Sequence, residues 1–307
     1  MNYKNKIRKA LNNPKRAKTY LFGKLSSFIV AKEFSSSLQN RSDSEDGLYV
    51  RSINKFLNSQ KSFNNFKQDP FYQNVLEHAT KEGGQNYLKI ILDQAPSFLN
   101  DHLDEIKQND ELGNPTKFTY DLVGSISPTT LHYVKIASDL KILFGNNFGK
   151  NIAEIGVGYG GQALILDTLF NINKITLFDL FPVTKLVSKY LEHFVFQGSY
   201  EVSSLNQAEK KDFDLVISNY AFSEVPKNVQ LKYIEKVLAN SKRGYLIMNS
   251  GGEGDHSVKG LNKNRLRLSE LEALLPKFEI KDENPLTSPH NYLIVWGHDI
   301  NSNNMNP

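Results

Sequence analysis

Cysteine is absent from the 307-residue chain, which excludes disulfides and thiolate zinc sites and leaves no redox signature of compartment. Long apolar runs are scarce as well. The strongest one, Tyr20-Leu-Phe-Gly-Lys-Leu-Ser-Ser-Phe-Ile-Val-Ala31, is interrupted by Lys24 and is too short and polar to span a bilayer. No small-x-small cleavage pattern follows it, which argues against a secretory signal. Charge of one sign is also lacking. With 37 Lys and Arg against 33 Asp and Glu, the net charge of +4 is too small to make nucleic acid the expected partner. Acids are missing only locally: residues 1–32 carry Lys4, Lys6, Arg8, Lys9, Lys15, Arg16, Lys18, Lys24 and Lys32 and no Asp or Glu. That segment reads either as a solvated basic arm or as a peripheral contact with anionic lipid. The remaining composition, 39% hydrophobic and 23% charged, is that of a soluble globular protein, expected in the cytoplasm or peripherally at the inner face of the cytoplasmic membrane.

What is present is organised around Lys150-Asn-Ile-Ala-Glu-Ile-Gly-Val-Gly-Tyr-Gly-Gly-Gln162. A buried-strand pattern breaks into glycines at Gly156, Gly158, Gly160 and Gly161, and an apolar helical segment follows at once. Strand, glycine turn and helix form the entry to a nucleotide-type site, because glycine lets a ligand lie against the main chain. Alone, this could be a plain strand-to-helix turn. Its neighbours sharpen it. The next apolar strand ends at Asp179, at about the 20-residue distance of a ribose-hydroxyl acceptor. Glu154 lies inside the motif, where a carboxylate suits the cationic amino-acid end of S-adenosylmethionine better than a pyrophosphate. A third strand runs through Phe213-Asp-Leu-Val-Ile-Ser-Asn219 into a polar turn. The expected cofactor set is Glu154, Gly156, Gly158, Gly160, Gly161, Gln162, Asp179 and Asn219, with S-adenosyl-L-methionine as the cofactor.

Around this core the chain divides into four parts. Residues 1–47 form the basic arm and a polar linker. Residues 48–126 carry helical periodicity and read as an accessory or cap region that ends in a glycine- and proline-punctuated loop. Residues 127–299 alternate strand and helix as a doubly wound sheet requires, and residues 300–307 are an Asn-rich tail read as disordered. Ser127 and Pro128 form a helix start. The loop before it, over residues 118–130, is placed near the reacting end of the cofactor as a substrate lid. Ser127, Thr129, Thr130, Tyr133 and Tyr220 are the candidate acceptor contacts. The last two strands are joined by too short a linker for a crossover helix and must be antiparallel. The fold class is therefore α/β: a Rossmann-like sheet, mostly parallel, with a closing antiparallel hairpin and an N-terminal helical accessory region.

Four stretches resemble a bacterial family of sugar O-methyltransferases within the class I S-adenosylmethionine-dependent enzymes. They are Gly124-Ser-Ile-Ser-Pro-Thr-Thr-Leu-His-Tyr-Val-Lys135, Glu154-Ile-Gly-Val-Gly-Tyr-Gly-Gly161, Ser218-Asn-Tyr-Ala-Phe-Ser-Glu-Val225 and Arg243-Gly-Tyr-Leu-Ile-Met-Asn249. The resemblance spans roughly residues 48–298 and implies methylation of a sugar hydroxyl in surface-glycan assembly, with a sugar or glycan as acceptor. Composition and spacing do not show that acceptor independently. Other small or lipid-linked acceptors, and a catalytically silent partner of a glycan-assembly complex, stay open beside it. A hydroxyl acceptor needs a base. The candidates are Glu224 after the fourth strand, His256 in the glycine-rich loop after the fifth, and His290 before the last strand. Glu253, Asp255 and His256 resemble a magnesium cluster only loosely, and no metal is expected. Lys259, Lys263, Arg265 and Arg267 form a basic cluster suited to an acceptor phosphate, or simply to a solvated helix face.

Overall fold

A computed structural model of the protein describes residues 48–249 and 265–298. The accessory part opens with α1 (Leu48–Asn58), α2 (Gln60–Phe63) and a 3-10 turn at Phe66–Gln68, followed by α3 (Pro70–Val75), α4 (Lys81–Gln94) and α5 (Pro96–Lys107). Short polar residues start several of these helices. Ser59, Asp69 and Thr80 each accept a backbone N–H of the first turn, satisfying donors that a helix start otherwise leaves open.

The segment that reads as a lid loop is not a free loop. It forms a two-stranded antiparallel hairpin, β1 (Phe118–Tyr120) and β2 (Gly124–Ile126). Tyr120 and Ile126 are buried, and the Tyr120 hydroxyl donates to the Lys81 carbonyl at 3.2 Å. The hairpin therefore lies packed against the start of α4. Its reversal uses Leu122 and Gly124 at positive φ in place of an Asn-Gly or Asp-Gly pair, so no turn signal marks it in the sequence.

Then follow α6 (Pro128–Phe144), β3 (Asn151–Ile155), α7 (Gly161–Leu169), β4 (Lys174–Phe178), α8 (Phe181–Leu191), β5 (Ser199–Ser203), β6 (Leu215–Asn219), α9 (Ala221–Glu224), α10 (Lys227–Lys236), β7 (Gly244–Met248), α11 (Leu268–Leu274), β8 (Glu279–Asp282) and β9 (Tyr292–Trp296). Ser127 caps α6 by accepting the Thr130 N–H at 3.1 Å, and Gly145 ends it at φ 75°, as the sequence reading expects.

Seven strands form one sheet in the order β5-β4-β3-β6-β7-β9-β8. Every pair from β5 to β7 is parallel; β9 is antiparallel to both β7 and β8. The Rossmann-like sheet with its antiparallel close is thus observed. Strand alternation divides the core between two faces. Ile152, Ile217, Tyr245 and Ile247 point into a cluster that continues without a break through Tyr49, Phe56, Tyr72 and Ile91 of the accessory helices. Ala153, Val216, Leu246 and Met248 point to the other face, against Tyr233, Ile234 and Leu271. The accessory region is therefore part of one sheet face, which brings its α3–α4 linker to the glycine turn.

No helix among the described residues is long and apolar enough to cross a membrane. The basic arm of residues 1–32, the loop with Glu253, Asp255, His256, Lys259 and Lys263, and the tail lie outside the described residues.

Candidate functional site

The strand order reverses between β3 and β6, and an open α/β sheet binds its ligand in the crevice beyond the carboxyl ends of two such strands. The glycine turn follows β3, Asp179 follows β4, and Asn219 and Tyr220 follow β6, so these elements surround one crevice. The turn needs its glycines. At Gly156, φ is 77° and an added Cβ would fall 2.0 Å from the Ala221 Cβ, so the turns after β3 and β6 touch here. At Gly158, φ is 57° and an added Cβ would fall 2.7 Å from the Leu76 side chain. The accessory region thus closes over the turn from the other side.

Asp179 ties the turn down. Its carboxylate accepts from the Gly158 N–H at 3.0 Å and from the Leu180 N–H at 2.7 Å. Burial nevertheless pushes it up to about 6, against the opposing pull of those backbone hydrogen bonds. Glu154 is 2% exposed, and its carboxyl is held well above the usual carboxylate range, first by burial and then by Asp179. One Glu154 oxygen, Oε2, is buried without a hydrogen-bond partner among the described residues, and so are Asn219 Oδ1 and Gln162 Oε1. Gln162 donates its Nε2 to the Tyr133 carbonyl at 3.2 Å. Buried polar atoms are almost always paired, so unpaired acceptors converging on a glycine turn indicate the donors of a ligand.

Sequence reasoning did not single out a fourth contributor. Glu77, in the α3–α4 linker, accepts from Thr129 Oγ1 at 3.0 Å through Oε2, while its Oε1 is buried and unpartnered. Burial pushes this carboxyl up to about 7, against the pull of Lys67 and Thr129. The Tyr133 hydroxyl lies in the field of both Glu77 and Glu154, and the Tyr72 hydroxyl in that of Glu77 and Asp179. The three carboxyls thus act electrostatically on the same pair of tyrosines. Nothing local in the sequence connects Glu77 with Thr129, 52 residues away.

Beside this acidic cluster is a set of stacked rings. His132 stacks on Tyr87 with ring centres 4.8 Å apart, and lies 6.4 Å from Tyr220. It is half-buried, and no described residue hydrogen-bonds to its ring nitrogens. Burial, reinforced by Lys135 and His78, pushes it down to about 3, so the imidazole is neutral at physiological pH. Tyr220 has φ 68°, a strained value for a non-glycine residue at the end of a core strand. Its hydroxyl makes a short hydrogen bond to Glu283, which also accepts from the Thr287 N–H at 3.0 Å and the Thr287 Oγ1 at 2.8 Å.

The sequence-predicted acceptor contacts separate into two groups. Thr129, Tyr133 and Tyr220 border the crevice. Ser127 and Thr130 do not supply free hydroxyls to it: Ser127 Oγ donates to Asp110 at 2.7 Å and Thr130 Oγ1 donates to Asp110 at 2.6 Å, both fully buried. Their chemistry holds α6 to the accessory region instead. Among the base candidates, Glu224 borders the crevice near His78 and accepts from Asn249 Nδ2 at 3.4 Å. His290 is exposed in a turn at φ 63°, and His256 lies outside the described residues. Of the basic cluster, Arg265 donates to the Glu224 carbonyl, and the Arg267 N–H donates to Glu270 at 2.9 Å, at the start of α11.

No family profile and no curated protein sequence matches this chain. Parts of solved structures do. The mitomycin 7-O-methyltransferase MmcR is 15% identical with a TM-score of 0.36, over 54% of this chain and 56% of that one. The phosphoethanolamine N-methyltransferase 2 of Haemonchus contortus, solved with S-adenosyl-L-methionine, is 15% identical with a TM-score of 0.39, over 64% of this chain and 46% of that one. The small RNA methyltransferase HEN1 is 13% identical with a TM-score of 0.41, over 60% of this chain and 27% of that one. The chain thus spans about half or less of those proteins' own lengths. Likenesses this distant assign no reaction to it.

Proposed function

We propose that this protein is an S-adenosylmethionine-dependent O-methyltransferase acting on a sugar hydroxyl in surface-glycan assembly. One observation carries the cofactor: buried, unpaired acceptor atoms of Glu154, Asn219 and Gln162 converge beside Asp179 on a glycine turn at the switch point of the sheet. Such a space suits a ligand with an ammonium group, hydroxyls and a cationic sulfur. Glu154 and Asn219 would hold the amino-acid end, Asp179 the ribose hydroxyls, and the glycine backbone the span between them. Bound there, the cofactor supplies a methyl group on a sulfonium that becomes a neutral thioether when the methyl leaves.

The remaining work is alignment of the acceptor and removal of its proton. An acceptor sugar would lie beside Tyr220, whose hydroxyl joins the Glu283–Thr287 pair as a set of polar groups for its hydroxyls. His132 is held neutral, but a ring pushed down to about 3 is a weak base, so Glu224, His256 and His290 remain the candidates to receive the hydroxyl proton. The sugar itself rests on the sequence resemblance. The basic arm would bring the enzyme, from the cytoplasmic side, to anionic lipid where lipid-linked glycans are built.

A second reading has its own support. Glu283 beside Tyr220 and Glu224 near His78 put carboxyl groups at this end of the sheet, which favours a basic amine acceptor over a phosphorylated one.

Calorimetric titration with S-adenosylhomocysteine is the first test. The wild type should bind at micromolar affinity, and Asp179→Ala should bind at least about tenfold more weakly. Methyl transfer from labelled cofactor onto nucleotide sugars, lipid-linked glycan precursors and small amines would then separate the two acceptor classes. Absence of binding to the wild type would leave a silent, partner-type protein as the better reading.

A further inference from the structure

The unpaired carboxyl oxygen of Glu77 is the least expected member of the crevice, because it comes from outside the sheet. Three observations locate it. Leu76, the preceding residue, occupies the space beside Gly158. Glu77 Oε2 is fixed by Thr129 in the first turn of α6, which leaves Oε1 buried with no partner among the described residues. Tyr133, one helical turn past Thr129, lies in the field of both Glu77 and Glu154.

Lys67 is the obvious internal counter-ion, and it is oriented elsewhere. Its ammonium donates to the Asn109 carbonyl at 2.7 Å and sits 4.1 Å from the centre of the Tyr159 ring. No ion pair joins it to Glu77 among the described residues. The charged and titratable groups facing Glu77 are Lys67, Asp110, Tyr72, Tyr133, Tyr159 and Tyr190. Lys67 is the cation among them, and its charge is shared between Glu77 and Asp110.

We propose that Glu77 is the residue through which the accessory region recognises the positive charge of a sulfonium ligand, making the site favour the methyl donor over its neutral thioether product. This rests on the cofactor reading above. The charge balance gives the role its direction. On transfer, the bond between sulfur and methyl breaks, the bond between acceptor oxygen and methyl forms, and the hydroxyl proton passes to a base. The positive charge thereby leaves the sulfur. Glu77 then faces a neutral product, and the attraction that favoured the donor is gone.

The test is calorimetry on the full-length protein with S-adenosylmethionine and S-adenosylhomocysteine, for the wild type and Glu77→Gln. Glutamine keeps an oxygen for the Thr129 hydrogen bond and removes only the charge. The wild type should bind the sulfonium more tightly than the thioether, and Glu77→Gln should weaken the sulfonium about tenfold while changing the thioether less than about twofold. A second readout is proton release, taken from binding heats in two buffers of different ionisation enthalpy near pH 6.5. The wild type should release more protons with the sulfonium than with the thioether, and the variant should not. Equal weakening of both ligands, or of neither, would overturn the role of Glu77 while leaving the cofactor reading intact. Failure of the wild type to bind either ligand would overturn both.

Discussion

Asp110 and Glu77 belong to the same accessory region and both face the first turn of α6, yet their surroundings are opposite. Asp110 is completely served: it accepts from the Ser127 N–H at 2.6 Å, from Ser127 Oγ at 2.7 Å and from Thr130 Oγ1 at 2.6 Å. Its neighbour Asn109 extends the network, donating to Thr130 Oγ1 at 2.7 Å and to the Tyr159 hydroxyl at 3.0 Å, within the glycine turn. Glu77 has one donor and one bare oxygen, and the bare acceptors of Glu154, Asn219 and Gln162 join it. Two buried polar clusters thus meet at the turn. The satisfied one fixes the accessory region to the sheet, and the unsatisfied one is complete only with a ligand.

The largest effect should come from breaking the satisfied cluster. Asp110→Ala takes the acceptor from three buried donors, of which only Ser127 Oγ keeps another, Thr130 Oγ1 at 3.0 Å, and should cost about 3–5 kcal/mol in urea unfolding. Glu154→Gln tests the other cluster. It removes a carboxyl whose oxygen has no partner, so unfolding should change by less than about 1 kcal/mol while cofactor affinity falls at least tenfold. Comparable losses of stability in both variants would show that the two clusters are not different in kind.

A smaller effect lies in pH. Asp179, ordinarily at 3.8, is pushed up to about 6, and Glu77, ordinarily at 4.5, to about 7. A raised acid binds protons in the folded state that the unfolded chain has already lost. The stability this gives is full below the unfolded values and disappears as pH rises through about 6 to 7. The ligand-free protein should therefore melt lower, by about 2–6 °C, at pH 7.5 than at pH 5. Glu77→Gln should flatten part of that slope, and saturating S-adenosylmethionine should flatten it further. A slope unchanged by either would mean that these carboxyls are already balanced in the empty site.

The difference between the clusters also explains what the sequence discloses. Glu154, the glycines, Asp179 and Asn219 sit on or beside core strands, where period-two burial and spacing place them without any long-range contact. The antiparallel close was legible from a linker too short for a helix. Glu77, Tyr87 and His132 were not, because their roles come from packing between segments far apart in the chain. His132 lies on a helix that is buried almost all round, so no amphipathic stripe singles it out from the core residues beside it. Ser127 was correctly read as a cap, but its further bond to Asp110, 17 residues upstream, has no local signature. That missing partner is why Ser127 and Thr130 resembled acceptor contacts. Tyr220 carried no hint of its positive φ in the sequence, where non-glycine residues give no such signal.

The finest separation of the two clusters uses a pair of tyrosines. Tyr72 and Tyr190 are both 0% exposed, and each packs its ring edge-on against Phe66. The Tyr190 hydroxyl donates within the satisfied cluster, to the Asn109 carbonyl at 2.9 Å and Asn109 Oδ1 at 2.8 Å. The Tyr72 hydroxyl is buried with no partner among the described residues and lies in the field of Glu77 and Asp179. Removing one oxygen from each is nearly the same change in volume, so the hydrogen bonds decide the outcome. Tyr190→Phe should lose about 1–2 kcal/mol, because it takes the donor from the buried Asn109 Oδ1. Tyr72→Phe should lose nothing, or gain up to about 1 kcal/mol, because it removes a buried hydroxyl that pairs with nothing in the empty protein. Adding S-adenosylhomocysteine should then reverse the order of ligand sensitivity: the stabilisation it gives should shrink in Tyr72→Phe and persist in Tyr190→Phe. If the two variants lose equal stability without ligand, the Tyr72 hydroxyl already has a partner, and the crevice does not extend as far as α3.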